Sequence, residues 1–158
     1  AENLYKEILK INPNHFETIF LLGTLSAQIK NFDLAKKLIQ KAIQIKPNHA
    51  NAHYNLGKIL QKLGEFHKGK ECYEKAIQIN SDHADAHCGI GQILENTNHI
   101  YEAKKYYEKT LNLDSNHKET CQRYGKILLK LNQHSKALAY LGKGYGFIRF
   151  AEKDLKII

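Results

Sequence analysis

Residues 46–57 read Lys46-Pro47-Asn48-His49-Ala50-Asn51-Ala52-His53-Tyr54-Asn55-Leu56-Gly57, and both ends of this stretch return at a fixed interval. Lys46-Pro47-Asn48-His49 is preceded by Asn12-Pro13-Asn14-His15 and followed by Asn80-Ser81-Asp82-His83 and Asp114-Ser115-Asn116-His117, 34 residues apart each time. Leu56-Gly57 keeps the same register as Leu22-Gly23, Ile90-Gly91 and Tyr124-Gly125. A third column is small, with Ala35, Gly69, Ala103 and Ala137. A fourth holds Tyr5, Ile39, Tyr73, Tyr107 and Leu141, and a fifth holds Ala42, Ala76, Thr110 and Gly144. The columns divide the chain into a repeat array over 1–151, with a half unit 1–15 and full units 16–49, 50–83, 84–117 and 118–151. Residues 152–158 form a cap or a linker.

Each unit carries two helical patterns. Tyr54, Leu56, Ile59, Leu60 and Leu63 are spaced for one face of a helix, and Tyr73, Ala76, Ile77 and Ile79 for another. Gly64, Asn98 and Asn132 stand where the first helix should end in a left-handed residue, with Lys30 as the exception. The Pro-Asn and Ser-Asn/Asp dipeptides are expected to supply the second turn and the N-cap of the next unit. The mid-helix glycines Gly23, Gly57, Gly91 and Gly125 each cost roughly 1 kcal/mol against Ala, which implies close approach of a facing helix. Ala35, Gly69, Ala103 and Ala137 are the expected partners there. A hairpin of this kind buries its apolar face only against its neighbours, so the units must stack. The pattern predicts an all-α solenoid with helices at 2–12, 16–29, 33–46, 50–63, 67–80, 84–97, 101–114, 118–131 and 135–143.

Composition narrows the function classes. The net charge of +8 comes from 22 Lys and only Arg123 and Arg149. Lysine is a solvated point charge and arginine the bidentate reader of phosphates and bases, so a nucleic-acid partner is disfavoured. Cys72, Cys88 and Cys121 are odd in number and make no CxxC pair, which argues against a disulfide framework and for a reducing, cytoplasmic setting. No apolar run is long enough to span a membrane. The chain has no Met, so Ala1 is not a translation start and the sequence reads as a segment of a longer protein.

A 34-residue helix–turn–helix with these columns resembles the tetratricopeptide repeat. The Leu-Gly pair, the two small columns, the aromatic column and Pro13 and Pro47 fall in that family's slots. Its Trp slot is held here by Ile19, His53, His87 and Cys121. The resemblance implies a right-handed superhelix whose first helices line a concave groove, and a scaffold that binds a protein or peptide segment. It places Phe20, Thr24, Asn51, Tyr54, Asn55, Lys58, Gln92, Gln122, Arg123 and Lys126 in that groove. The family's carboxylate clamp is missing its first pair, because Phe20 and Thr24 stand in place of Lys and Asn. The asparagine ladder of glycosyltransferase-associated arrays is present only at Asn55, with Leu21, Gly89 and Arg123 in the other slots. The alternative implied by the resemblance is a substrate-recruiting segment of a larger glycosyltransferase, sulfotransferase or 2-oxoglutarate oxygenase.

The residues themselves point to binding without catalysis, cofactor or metal. No HExxH, P-loop or GxSxG motif is present. His15, His49, His83 and His117 form a column, but packed helices stand about 8–10 Å apart, so the column cannot share one zinc ion. Glu17, Asp85 and Glu119 begin helices and Lys62 and Lys130 end them, as the helix dipole favours. Lys58, Arg123 and Lys126 are then the groove cations that the dipole does not explain. They predict a partner with acidic residues bound near the third and fourth units. The half unit 1–15, with Leu4, Tyr5 and Ile8 facing the first hairpin, leaves an apolar face and an expectation of end-to-end self-association.

Overall fold

The computed structural model describes residues 2–146, with side chains from residue 7 onward. Those residues form helices α1 (Glu2–Ile11), α2 (Phe16–Gln28), α3 (Phe32–Ile45), α4 (Ala50–Lys62), α5 (Phe66–Ile79), α6 (Ala84–Asn96), α7 (Ile100–Leu113), α8 (Lys118–Lys130) and α9 (His134–Tyr145). No strand occurs among them. The fold is an all-α solenoid, and every helix end lies within two residues of its expected position. The expected cap or linker at 152–158 and the orientations of Leu4 and Tyr5 fall outside the described residues.

Within each hairpin the first helix stops for one reason. Lys30, Gly64, Asn98 and Asn132 adopt φ of 63°, 79°, 64° and 58°. The next amide then turns back to the last helical turn: Asn31 N–H donates to Ser26 O, Glu65 to Leu60 O, His99 to Leu94 O and Gln133 to Leu128 O, at 2.8–2.9 Å. This closure satisfies carbonyls that a helix end would leave bare. Lysine is the costly choice at such a site, since a Cβ in the left-handed region costs roughly 1–2 kcal/mol.

Between units the cap is the histidine, not the preceding dipeptide. Nδ1 of His15, His49, His83 and His117 accepts the backbone N–H of Thr18, Ala52, Ala86 and Thr120 at 3.3, 3.1, 3.3 and 3.2 Å. The polar residue three positions before the histidine holds the turn. Asn12, Asn80 and Asp114 accept the N–H of Asn14, Asp82 and Asn116 at 3.1, 3.2 and 3.0 Å. Ring size explains the division of labour, because an imidazole can cap the helix and still pack. His49 lies 4.8 Å from the Phe16 ring and His83 4.9 Å from that of Tyr54.

The glycine column faces the large fourth column as well as the small one expected, since a Cβ on Gly57 or Gly125 would also stand 3.1 Å from the carbonyl of Gly69 or Ala137. A Cβ on Gly23, Gly57, Gly91 or Gly125 would stand 2.7, 2.7, 2.5 or 2.7 Å from Ile39, Tyr73, Tyr107 or Leu141 respectively. The large fourth column therefore fills the notch, and Ala35, Ala103 and Ala137 are buried beside it. Tyr73, Ile90, Ile93, Tyr107, Tyr124, Ile127 and Leu128 belong to one core running from the second unit to the fourth. At the other end Leu9 of α1 packs against Phe16, Ile19 and Ala42, while Ile11 is 87% exposed.

Candidate functional site

The face made by the first helices is the inner one. α2 touches α4 and α4 touches α6, whereas successive second helices make no comparable contact, so the array curves toward α2, α4 and α6. Two clefts open on this face. The first, about 330 Å³, lies between α2 and α4 and is lined by Thr24, Ala27, Gln28, Lys30, Phe32, Asn55, Lys58, Ile59 and Lys62. The second, about 270 Å³, is lined by Tyr54, Lys58, Gln61, Lys62, Tyr73, Asp85, Cys88, Gly89, Gln92 and Glu119. Lys58 and Lys62 border both, so the clefts form one track.

The floor of the track is tied together by side chains from successive units. Asn55 Nδ2 donates to Thr24 Oγ1 at 3.2 Å, and Gln61 Nε2 donates to Gln92 Oε1 at 3.2 Å. The Gln61 Oε1 oxygen accepts the Tyr73 hydroxyl at 2.8 Å. Gly89 makes room for that ring, since a Cβ there would meet Tyr73 Cζ at 2.5 Å. His83 Nε2–H donates to Asn51 Oδ1 and His117 Nε2–H to Asp85 Oδ1, both at 3.0 Å. The capping use of Nδ1 fixes this tautomer.

Phe20, Gln122, Arg123 and Lys126, four of the residues expected in the groove, line neither cleft. Arg123 is not a free cation: Nη1 reaches Glu95 Oε2 at 3.0 Å and Nε reaches Glu119 Oε1 at 3.2 Å. Glu95 Oε2 also accepts the Tyr107 hydroxyl at 2.7 Å, so the guanidinium closes a network between units. Gln122 turns away to α9, where Nε2 donates to Gly144 O at 2.8 Å. Phe20 is spent on packing, stacked 5.8 Å from Phe16 and 5.2 Å from His49. Lys126 is exposed but lines neither cleft. Thr24, Tyr54, Asn55, Lys58 and Gln92 line the track, and Asn51 sits at its edge on His83. Lys30 and Lys62 were not singled out as groove cations. Lys30 sits in the turn after α2, and Lys62 had the helix dipole as its explanation.

Electrostatics sort the track into two ends. Lys30, Lys58 and Lys62 border the first cleft with no carboxylate among its lining residues. The second has both signs, with Asp85 and Glu119 beside the shared Lys58 and Lys62. The hydrogen bond from His117, followed by nearby positive charge, holds the Asp85 carboxyl below its usual range. Burial pushes the Cys88 thiol up to about 11, so it offers no thiolate near neutral pH. Tyr54 is likewise raised by burial and stays a neutral phenol, with Lys58 Nζ 5.4 Å from its ring centroid. Among the described residues, no group of three or more His, Cys, Asp or Glu side chains is gathered to hold a metal, and no helix is long and apolar enough to cross a membrane. The histidines in the Trp slot serve the turns. His53 and His87 donate from Nε2 to Pro47 O and Ser81 O at 2.8 and 3.1 Å, and Nδ1 of His87 is buried without a partner.

Comparison with known proteins agrees with this architecture. Family profiles described as tetratricopeptide repeat match residues 50–83 and 84–117, and one described as TPR repeat matches residues 32–64. No curated protein sequence matches the chain. Among solved structures, MamA superposes with a TM-score of 0.78 at 25% identity, covering 92% of this chain and 85% of its own. Pseudomonas aeruginosa PilF reaches 0.82 at 19% identity, over 90% of this chain and 65% of that one. MamA from Desulfovibrio magneticus reaches 0.77 at 19% identity, over 92% and 82%. The last two are likenesses of fold. With its profile matches together spanning residues 32–117, the chain belongs to the tetratricopeptide repeat family, a family of protein-interaction scaffolds.

Proposed function

We propose that the chain is a non-catalytic scaffold that binds one extended protein or peptide segment along the inner face of α2, α4 and α6. The observation that carries this reading is the continuous track of two clefts, joined at Lys58 and Lys62. It combines an aromatic ring at Tyr54 with amides at Asn55 and Gln92 and with charge of both signs. Buried aromatic footing with a polar rim is what protein interfaces prefer. The acid-binding end lies at the first cleft, not near the third and fourth units, because Arg123 is already paired. Recruitment of a substrate to a larger enzyme would use the same face. Self-association through α1 is a separate proposal, read by sedimentation over a range of concentrations.

The test is selection from a displayed library of random twelve-residue peptides on the purified chain. Bound peptides should lose affinity on Tyr54→Ala and Gln92→Ala. They should shift backbone resonances of α2, α4 and α6 while leaving α7 unmoved. Peptides that bind tightly but map to the second helices would overturn the proposal.

A further inference from the structure

We infer that the first cleft is a subsite for an acidic side chain, so that the bound segment lies with a carboxylate between α2 and α4 and a cationic residue toward Asp85 and Glu119. This rests on the groove reading and adds to it the chemistry and direction of the ligand.

Four observations converge. The first is charge: Lys30, Lys58 and Lys62 converge on one cleft of about 330 Å³, and none has a carboxylate within ion-pair distance among the described residues. Six other lysines do have such partners, namely Lys10, Lys36, Lys46, Lys68, Lys70 and Lys104. The second is the backbone at Lys30. Its three counterparts are Gly64, Asn98 and Asn132, residues suited to positive φ, whereas Lys30 holds φ 63° against its Cβ. The fold would be more stable with Gly there, so the lysine side chain is retained at a conformational cost. Lys30 lines the cleft. Strain of this kind collects where a side chain has work to do.

Third, the floor offers a directed donor. Asn55 gives one amide hydrogen to Thr24 Oγ1, and the Thr24 hydroxyl donates to Phe20 O at 2.9 Å. The second amide hydrogen of Asn55, a residue that lines the cleft, has no partner among the described residues. Ala27, Phe32 and Ile59 provide apolar wall for the methylenes of Asp or Glu. Fourth, the neighbouring cleft sets two carboxylates, Asp85 and Glu119, against the Lys58 and Lys62 that it shares with the first, so negative charge is confined to that end. Those carboxylates favour a monoanion over a phosphate dianion next door. The absence of any arginine from the first cleft removes the fork that phosphate recognition favours.

The experiment uses the same random twelve-residue library, followed by anisotropy titrations with one synthetic peptide from the selection. Selected peptides should carry Asp or Glu toward one end and Lys or Arg toward the other. Lys30→Gly, Lys58→Gln and Lys62→Gln should each weaken binding by about 2–5-fold, the range of a solvent-exposed ion pair, and the loss should shrink at high salt. Lys37→Gln with Lys105→Gln, exposed on second helices, should leave affinity unchanged. Lys30→Gly should also raise the thermal midpoint, which separates lost binding from lost folding. Exchanging the acidic and basic residues of the peptide should abolish the preference. Peptides that bind through Tyr54 and Gln92 without acidic residues, or an unchanged affinity on Lys30→Gly, would overturn this inference and leave the groove reading standing. Competition by inorganic phosphate well beyond that by acetate would assign the subsite to phosphate instead. A library that yields no binder removes both readings.

Discussion

Gly91→Ala should destabilise the array clearly, and its cost can be worked from the geometry. The new Cβ would stand 2.5 Å from Cε1 and 2.8 Å from Cδ1 of Tyr107. That ring is fully buried, and its hydroxyl is held 2.7 Å from Glu95 Oε2, which also receives Arg123. The ring cannot pivot away without breaking a hydrogen bond to a carboxylate. Overpacking costs typically 1–3 kcal/mol, and losing a charge-assisted bond roughly 1.5–3, against a gain of about 1 for Ala over Gly in a helix. The expected net loss is roughly 1.5–5 kcal/mol, or about 3–20 °C in midpoint for a chain of this size. Gly23→Ala is the control. Its nearest obstacle is Cδ1 of Ile39, the end of a flexible aliphatic chain that can rotate aside. The helix-propensity gain should then nearly cancel the clash, leaving a change within about 1 kcal/mol. Thermal and urea melts followed by circular dichroism measure both. A Gly91→Ala protein as stable as Gly23→Ala would refute the claim that the ring column fills the glycine notch.

Other outcomes follow from the same contacts. Arg123→Ala strands Glu95 beside the Tyr107 hydroxyl and should cost on the order of 1–2 kcal/mol in urea melts, since the pair is only partly exposed, while Lys126→Ala should stay within about 0.5. Acidification should weaken the fold. Burial lowers His83 and His87 below the ordinary 6.5, so the unfolded chain takes up their protons first and stability falls as pH drops through 6.5. His117 acts in the opposite sense. Its Asp85 partner raises it, so its contribution is complete below 6.5 and is lost as pH rises through the folded value. His83→Asn keeps a capping side chain and removes one titration, so urea midpoints at pH 7.5 and 5.5 should lie closer together than in the parent.

The solenoid was legible because its period is written five times over, and turn chemistry at Gly64, Asn98 and Asn132 placed the helix ends. The misreadings share a cause. Arg123 looked free because its partner Glu95 is 28 residues away on a neighbouring helix, and Glu119, four residues away, was read only as a helix-start acid. Gln122 looked inward for lack of any sign that Gly144 would receive its amide. The glycine column suggested a small partner, and Gly57 and Gly125 do approach the Gly69 and Ala137 carbonyls, but each glycine also makes the slot for a large side chain on the next helix, which the sequence did not announce. Histidine was passed over as a cap because Ser, Thr, Asp and Asn are the expected ones. Lys30 stood out as the exception at its turn, but only the structure joins it to Lys58 and Lys62 around one cleft.

The central claim is that the inner face of the first helices is the binding surface. It is tested most directly by isotope-edited NMR of the chain with a selected twelve-residue peptide, scored for contacts between peptide protons and side chains. The account predicts intermolecular contacts at Tyr54, Lys58 and Gln92, with an Asp or Glu of the peptide nearest Asn55. Contacts confined to α3, α5 and α7, with Tyr54 and Gln92 untouched, would contradict it.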